Sequence, residues 1–161
     1  MTKIKEIKTI RTRANGIWLG VKILTDQPGL YGIGSASDVH HSSAIATVIE
    51  EVMAPRLIGR DVANIEDIWQ STYTSAYWRN GSILNTALGG IDMALWDIKG
   101  KRLNLPIYEL IAGKTRDKVR CYIHVSGNET DDLVLDAKNK VDQGFTAIRF
   151  SPYSENFHLY K

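Results

Sequence analysis

The fold of this chain is decided by the stretch Gly89-Gly90-Ile91-Asp92-Met93-Ala94-Leu95-Trp96-Asp97-Ile98-Lys99-Gly100-Lys101, which is followed shortly by Leu105-Pro106-Ile107-Tyr108-Glu109-Leu110-Ile111-Ala112-Gly113. Apolar residues recur at alternating steps of four and three, the period of one helix face: Leu84, Leu88, Ile91, Leu95 and Ile98. In the second part, Pro106 favours a helix start and Gly113 a helix end. We therefore predict a long apolar helix, a short break and a short second helix.

The first 35 residues predict three antiparallel strands. Strand-forming residues are frequent in 4–10 and again in 18–24. Between them, Asn15-Gly16 favours a hairpin turn because both residues accept a positive φ. A second turn is predicted at Asp26-Gln27-Pro28-Gly29, and a third strand at 30–33.

Two further helices are predicted between these strands and the glycine-rich stretch. Ser42 or Ser43 can cap the first helix, and Pro55 is expected to follow its end. The apolar stripe of this helix consists of Ile45, Val48, Ile49, Val52 and Met53. The stripe of the next helix consists of Ile65, Ile68, Trp69, Thr72, Tyr73 and Ala76. Strands followed by helices predict an α+β domain over residues 1–114.

Beyond this domain the period of the pattern changes again. Apolar and polar residues alternate over 119–125, which predicts a strand. Thr130 or Asp131 can cap a helix that Gly144 ends, and 146–150 predicts a second strand. Strand, helix and strand with short links form a βαβ unit, which requires a parallel sheet. Because two strands alone do not make a stable parallel sheet, this part is interpreted as the opening of an α/β domain.

The composition restricts the classes of function. With 161 residues, 43% of them hydrophobic and 24% charged, the chain resembles a soluble globular protein. A net charge of +2 without a long Lys/Arg cluster argues against nucleic acid and anionic membranes as partners. Cys121 is the only cysteine, which excludes an intrachain disulfide and a Cys-based metal site. Since neither a signal peptide nor a membrane span is recognisable, we expect a cytoplasmic protein.

Two patterns that could suggest chemistry have better structural interpretations. Gly32-Ile33-Gly34 lacks the third glycine and the βαβ setting of a dinucleotide site, so we reject that function. Asp92 and Asp97 project to different sectors of the helix, which makes a joint acid–base role improbable. Surface pairing of these carboxylates with Lys99 or Lys101 is the better interpretation.

The tryptophans on the helices share faces with aliphatic residues, so we interpret them as core or interface aromatics: Trp69, Trp78 and Trp96. The segment Tyr77-Trp78-Arg79-Asn80-Gly81 could equally line a contact between subunits.

Several motifs together resemble one protein family. Besides the run from Gly90 to Lys101, they are Gly29-Leu30-Tyr31-Gly32-Ile33-Gly34, Ile65-Glu66-Asp67-Ile68-Trp69-Gln70, Ala76-Tyr77-Trp78-Arg79-Asn80-Gly81, Leu105-Pro106-Ile107-Tyr108-Glu109-Leu110 with Gly113-Lys114, and Cys121-Tyr122-Ile123-His124. Over about residues 1–150 the chain resembles the start of an enolase-superfamily protein of the mandelate racemase/muconate lactonizing enzyme-like branch. Within that branch it is most similar to the mannonate dehydratase and starvation-sensing group.

The resemblance implies an enolase-like N-terminal capping domain, a three-stranded antiparallel meander plus a helical bundle, over 1–114. It implies the first βαβ of a TIM barrel over 115–161. Family members bind one Mg²⁺ through carboxylates on the third, fourth and fifth barrel strands. They remove the proton next to a substrate carboxylate, and Mg²⁺ stabilises the enediolate. The implied protein is a homo-oligomeric lyase that eliminates water from an acid sugar.

The chain ends near the second barrel strand, before the expected magnesium ligands and the acid histidine. We therefore expect these 161 residues alone to lack the family's activity. The alternative is a non-catalytic, truncated remnant that serves as a binding or interaction module. Its exposed apolar strand edges would favour self-association or a partner.

The resemblance assigns roles to three residues of the second part. His124, near the end of the first barrel strand, matches a substrate-contacting histidine, with a hydrogen-bonded structural histidine as the alternative. Arg149 matches an arginine that lowers the pKa of a catalytic tyrosine, with a surface ion pair as the alternative. Tyr160 is the better-placed candidate for that tyrosine, since Tyr153 is too close to Arg149 in sequence. A loop tyrosine without a catalytic role stays open.

Substrate contacts are also implied for Ser37, Asp38 and Val39, which follow the third strand where the capping domain closes over the substrate. Mannonate-active members carry an asparagine close to the position of Val39, and valine cannot bond to a sugar hydroxyl. This departure favours another acid sugar or weak activity.

His40 and His41 are adjacent in the sequence, so their side chains are poorly placed to bind one metal ion together. A solvated loop is the better interpretation.

Overall fold

The computed structural model describes residues 1–13 and 16–150. The chain forms two compact units, Met1–Gly113 (the first unit) and a second unit that begins at Lys114. The hairpin turn predicted at Asn15-Gly16 includes Asn15, which lies outside the described residues. None of the helices in the described ranges combines the length and hydropathy that crossing a membrane requires.

The three predicted N-terminal strands are confirmed. They are β1 (Ile4–Thr12), β2 (Trp18–Thr25) and β3 (Tyr31–Ser35), and they form an antiparallel sheet in the order β1-β2-β3. The third strand ends later than expected because its last residues pair with Gly20 and Val21 of β2. Side chains alternate between the two faces of a strand. The core-facing residues of β2 are accordingly completely buried: Leu19, Val21 and Ile23.

The helix after the sheet differs from its predicted boundaries. It comprises α1 (Ser42–Thr47), a π-helical segment (Val48–Met53) and α2 (Ala54–Leu57). The N-cap is His41, so the capping roles of Ser42 and Ser43 are wrong. Pro55 does not follow the helix but lies within it, in the first turn of α2. Proline is tolerated in a first turn, where its missing N–H needs no partner within the helix.

The remaining helices of the first unit agree with the sequence pattern. They are α3 (Ile65–Thr74), α4 (Ser82–Leu103) and α5 (Ile107–Ile111). Pro106 is the N-cap of α5, and Gly113 has a φ of 94° beyond its end, as predicted. The buried face of α4 lies in the core, where Ala94 and the stripe residues Ile91, Leu95 and Ile98 are at most 1% exposed.

Glycines allow the backbones of β3 and α4 to touch. A Cβ atom added to Gly32 would lie 1.9 Å from the carbonyl oxygen of Ala94. A Cβ added to Gly34 would lie 1.9 Å from that of Gly90. On the helix side, a Cβ at Gly90 would lie 2.8 Å from a side-chain atom of Val21. These glycines therefore serve close packing between strand and helix.

The tryptophans divide between core and surface. Trp69 and Trp96 pack against the core, and the ring of Trp69 stacks on Tyr73 at a centroid distance of 5.2 Å. Trp78, in contrast, is 82% exposed in the segment between α3 and α4. A core position for Trp78 is therefore wrong, because this residue lies outside both helices and shares no helix face with the apolar stripes.

The two aspartates of α4 have different partners. Asp97 pairs with Lys101 at 2.7 Å, as predicted. For Asp92 the expected lysine pairing is wrong: this carboxyl is half-buried, and burial together with the nearby charge of Glu66 raises its pKa. The ionised form of Asp92 is thus disfavoured in the folded protein.

The raised pKa of Asp92 predicts a pH-dependent effect on stability. A carboxyl whose pKa is higher in the folded state favours folding below its unfolded pKa, 3.8, and this contribution is lost as the pH rises through the folded pKa. Asp92→Asn should therefore raise the urea midpoint at neutral pH and leave it nearly unchanged at about pH 3. An equal change at both pH values would contradict this account.

The second unit contains the predicted βαβ arrangement. It consists of β4 (Ile123–His124), α6 (Thr130–Asp142) and β5 (Ile148–Arg149), and the two strands pair in parallel. Gly144, with a φ of 93°, follows the end of the helix as expected.

Two details of the second unit differ from the prediction. The strands are shorter than 119–125 and 146–150, because ladder hydrogen bonds join only residues 123–125 to 147–149 among the described residues. Apolar alternation extends further than the backbone pairing that defines a strand. The N-cap of α6 is Glu129, so the capping roles of Thr130 and Asp131 are wrong, and both residues lie in the first turn of the helix.

Candidate active site

In the first unit, Ser37 is held against the sheet. Its Oγ accepts the N–H of Leu19 at 3.1 Å and lies 3.0 Å from Oγ of Ser35. The N–H of Ala36 donates to the carbonyl oxygen of Leu19 at 2.8 Å. The segment that leaves β3 is therefore bonded to β2, and the Ser37 hydroxyl is largely occupied by this role.

Asp38 organises the turn that leads into α1. One carboxylate oxygen accepts the backbone N–H groups of His40 at 2.8 Å and His41 at 2.6 Å, and it lies 3.1 Å from Nδ1 of His41. The His41 backbone N–H is the main cause that lowers the pKa of Asp38. Asp38 thus stabilises the turn before α1 through two backbone amides, while no side chain caps the helix itself.

Val39, at the tip of this turn, is 65% exposed. Its neighbours His40 and His41 are also exposed, and their rings meet edge to face at 6.2 Å. Within residues 1–13 and 16–150, no three His, Cys, Asp or Glu side chains lie close enough together to hold a metal ion. Of the three predicted contact residues, Val39 is the one whose side chain takes no part in organising the loop.

In the second unit, His124 and Arg149 are brought together. They are direct partners in the parallel ladder, each as the last residue of its strand, and both are exposed. In α/β barrels the carboxyl ends of the strands carry the active site. Tyr160 and Tyr153, the candidates for the catalytic tyrosine, lie outside the described residues.

Tyr122 joins this pair, although the sequence did not single it out. Its hydroxyl accepts a hydrogen bond from Nη1 of Arg149 at 3.5 Å, and its ring lies 5.6 Å from that of His124. Residues two apart on a strand face the same side, so the spacing of Tyr122 and His124 was the available signal. The arrangement combines a guanidinium, an imidazole and a phenol at one edge of the sheet.

Comparisons with known proteins agree with this architecture. Residues 7–112 match the mandelate racemase / muconate lactonizing enzyme, N-terminal domain. The chain is 55% identical over 149 residues to a D-galactonate dehydratase family member from Paenibacillus sp. (strain JDR-2), covering 92% of this chain and 37% of the relative. It is 50% identical over 147 residues to the D-galactonate dehydratase family member RspA from Pantoea ananatis (strain LMG 20103), covering 91% of this chain and 35% of the relative.

A solved structure gives the same result. The crystal structure of an enolase from Pantoea ananatis, with bound D-gluconate and Mg, superposes with a TM-score of 0.88 at 47% identity. The match covers 94% of this chain and 37% of that chain. The chain therefore spans little more than a third of the length of these relatives. It belongs to the mandelate racemase / muconate lactonizing enzyme family of the enolase superfamily, of which it carries the N-terminal domain.

Proposed function

We propose that this chain contributes the capping domain and the first barrel strands of a Mg²⁺-dependent acid-sugar dehydratase. The observation that carries the proposal is the pairing of His124 with Arg149 at the carboxyl ends of adjacent parallel strands. The similarity to D-galactonate dehydratase family members, and to an enolase with bound D-gluconate and Mg, supports an acid sugar as substrate. It supports the class of substrate and no particular sugar.

The proposed reaction begins with removal of the proton on the carbon next to the substrate carboxylate. The electron pair of that C–H bond forms an enolate, the hydroxyl on the next carbon leaves as water after accepting a proton, and the resulting enol becomes a 2-oxo acid. The described residues provide no magnesium site. We therefore assign to this chain only roles in substrate orientation and in the base.

In this proposal Arg149 sets the protonation state of the base. A guanidinium next to a phenol favours the phenolate and lowers the pKa of the phenol, which lets a tyrosine accept a proton near neutral pH. Tyr160 is the proposed tyrosine by resemblance, while Tyr122, directly before β4, supports Arg149 through its hydroxyl. His124, next to Arg149 in the ladder, is proposed to orient the acid sugar.

Ser37, Asp38 and Val39 are proposed to close over the substrate from the capping domain. Because the Ser37 hydroxyl bonds to Leu19 and one carboxylate oxygen of Asp38 bonds within the turn, the exposed Val39 is the residue most available to a ligand. Its isopropyl group offers an apolar contact and no hydrogen bond. This supports an acid sugar other than mannonate.

Val39→Asn should shift substrate preference towards mannonate. The asparagine amide can donate to and accept from a sugar hydroxyl, which the valine side chain cannot do. We expect kcat/KM for mannonate to rise by about tenfold relative to that for gluconate. One added hydrogen bond of about 1.4 kcal/mol gives a change of this size. Unfolding stability should change by less than about 0.5 kcal/mol at this exposed position. An unchanged preference ratio would argue against contact between residue 39 and the substrate.

We also propose that the protein assembles with copies of itself through the segment 77–81. Tyr77 and Trp78 are 87% and 82% exposed, and their rings meet edge to face at 5.0 Å. The segment is anchored by a 2.8 Å bond from the Tyr73 hydroxyl to the Asn80 side chain. Aromatic side chains are enriched in subunit interfaces. Sedimentation velocity should show a multimer that Trp78→Ala weakens, whereas a monomeric wild-type protein would contradict the proposal.

The proposed function is tested on the complete protein that contains this chain. Purified protein with Mg²⁺ is offered a panel of acid sugars, including gluconate, galactonate and mannonate, and 2-oxo acid formation is followed with semicarbazide. We expect at least one acid sugar to be dehydrated, with loss of activity in EDTA and recovery on addition of Mg²⁺. No product from any acid sugar would refute the proposed function.

A further inference from the structure

The outer edge of β3 is closed by two side chains of α4. Asp97 accepts the N–H of Ile33 on Oδ2 at 2.8 Å. Lys101 donates from Nζ to the carbonyl oxygen of Tyr31 at 2.9 Å and to Oδ2 of Asp97 at 2.7 Å. Edge strands carry unpaired N–H and C=O groups. Here two of these groups on β3 are bonded by one ion pair.

This contact differs from an ordinary pair on a helix surface. Pairs of opposite charge at i,i+4 contribute little when they only face solvent. Asp97 and Lys101 instead use their charges in hydrogen bonds to the backbone of another element, and such charge-assisted bonds are stronger. The Lys101 ammonium also lies 4.2 Å from the centroid of the Tyr31 ring, a cation–π contact that further restrains it.

The other sides of β3 are equally restrained. Its inner edge bonds to β2, and Gly32 and Gly34 bring its backbone against α4. The strand continues without a break into Ala36 and Ser37, which bond to Leu19 of β2. The position of β3 on α4 therefore determines where the turn at residues 37–39 begins.

We propose that Asp97 and Lys101 are positioning residues for acid-sugar binding. By fixing the edge of β3 on α4, they fix the place of the turn at 37–39, the turn that the proposed function assigns to substrate contact. Neither residue touches the substrate in this account. The inference rests on the proposed function for its kinetic consequence and on the hydrogen bonds above for its structural consequence.

The variants are Lys101→Met, which removes the ammonium, and Asp97→Asn, which keeps the shape and removes the charge. Lys101→Arg retains a cation able to donate to Tyr31 and Asp97, so it serves as the conservative rescue. Lys99→Met is the matched control on the same helix, because Lys99 lies over the Trp96 ring at 4.6 Å and does not bond to β3.

In the complete protein, Lys101→Met and Asp97→Asn should raise KM for the acid sugar about five- to tenfold and leave kcat within about twofold, because contacts of a capping loop contribute binding that substrate and transition state share. Lys101→Arg should have a KM close to that of the wild type, and Lys99→Met should leave KM and kcat unchanged. Unchanged KM in both variants, or an equal loss of kcat, would overturn the positioning role.

Amide hydrogen exchange gives a readout that does not depend on activity. Loss of the Asp97 and Lys101 bonds to β3 should accelerate amide exchange at Ile33, and also at His40 and His41 in the turn. If the protein has no dehydratase activity, the proposed function fails while this measurement still decides the positioning claim. Faster exchange at Ile33 alone, with an unchanged turn, would overturn it. Should Lys101→Met not fold, Asp97→Asn decides both readouts.

Discussion

Gly34→Ala is expected to lower the free energy of unfolding of the first unit by about 3 kcal/mol or more, at the upper end of the range for overpacking. The added Cβ would lie 1.9 Å from the carbonyl oxygen of Gly90 and 2.9 Å from the backbone nitrogen of Ala94. Both atoms belong to helix backbone, so no side chain can rotate away. Either β3 or α4 must shift, and the shift disturbs the packing of Ile91. Urea unfolding followed by circular dichroism measures the loss.

Gly89→Ala is the matched control, and it should act in the opposite direction. Gly89 also lies within α4, but nothing approaches within 4 Å of an added Cβ. Alanine in a helix interior is more favourable than glycine by about 0.8–1 kcal/mol, so this variant should be more stable than the wild type. Similar destabilisation by Gly34→Ala and Gly89→Ala would show that close approach of the two backbones does not limit the packing.

The packing of Gly32 and Gly34 against α4 could not be predicted from the sequence. The helical period predicted α4, and the strand-forming residues predicted the sheet, because both signals are local. The contact of Gly32 and Gly34 with α4 joins residues about sixty positions apart, and no local pattern predicts it. The sequence around these glycines excludes a dinucleotide site but carries no signal for their packing role.

The errors at helix starts have a related cause. Ser42 and Thr130 are residue types that favour N-caps, yet His41 and Glu129 are the N-caps. At α1 no side chain caps the helix, and Asp38 instead bonds the amides of His40 and His41 in the turn before it. A cap depends on where the preceding segment is held, and here Ser37 holds it through β2.

The second large effect is expected at Arg149. In the complete protein, Arg149→Met should lower kcat for the acid sugar by about 10²- to 10³-fold, the usual contribution of a tuned general base. Without the guanidinium the pKa of the proposed catalytic phenol should rise, so that less of the base is ionised near neutral pH. The acidic limb of the kcat profile should therefore move to higher pH, and steady-state kinetics between about pH 6 and 10 measures both changes.

Arg120→Met provides the control for this variant. Arg120 belongs to the same unit and is exposed, but it bonds to the side chain of Thr146 at 3.0 Å and to the Thr146 carbonyl oxygen. Both residues precede their strands, whereas His124 and Arg149 lie at the carboxyl ends. The kcat of Arg120→Met should stay within about twofold of the wild-type value, since surface substitutions away from a site have small effects. A comparable loss in both variants would indicate a general effect of charge and contradict the specific role of Arg149.

The candidate site was predictable to different degrees. The βαβ pattern predicted two neighbouring parallel strands, and the family resemblance singled out His124 and Arg149 at their ends, where the structure pairs them. Tyr122 was missed because its spacing from His124 indicates only a shared face, and its hydrogen bond with Arg149 depends on tertiary structure. That Val39 is more available to a ligand than Ser37 or Asp38 could not be predicted, because the hydrogen bonds of those two residues depend on tertiary structure.

The most direct test of the account is the product formed from an acid sugar by the complete protein, analysed by mass spectrometry in matched samples of wild type and Arg149→Met. With Mg²⁺, the wild type is expected to convert the sugar into a product lighter by one water, with a 2-oxo group. EDTA should abolish this conversion, and Arg149→Met should reduce it at least about 100-fold. Conversion that is insensitive to EDTA or equally fast in Arg149→Met, or no dehydration of any acid sugar, would contradict the account.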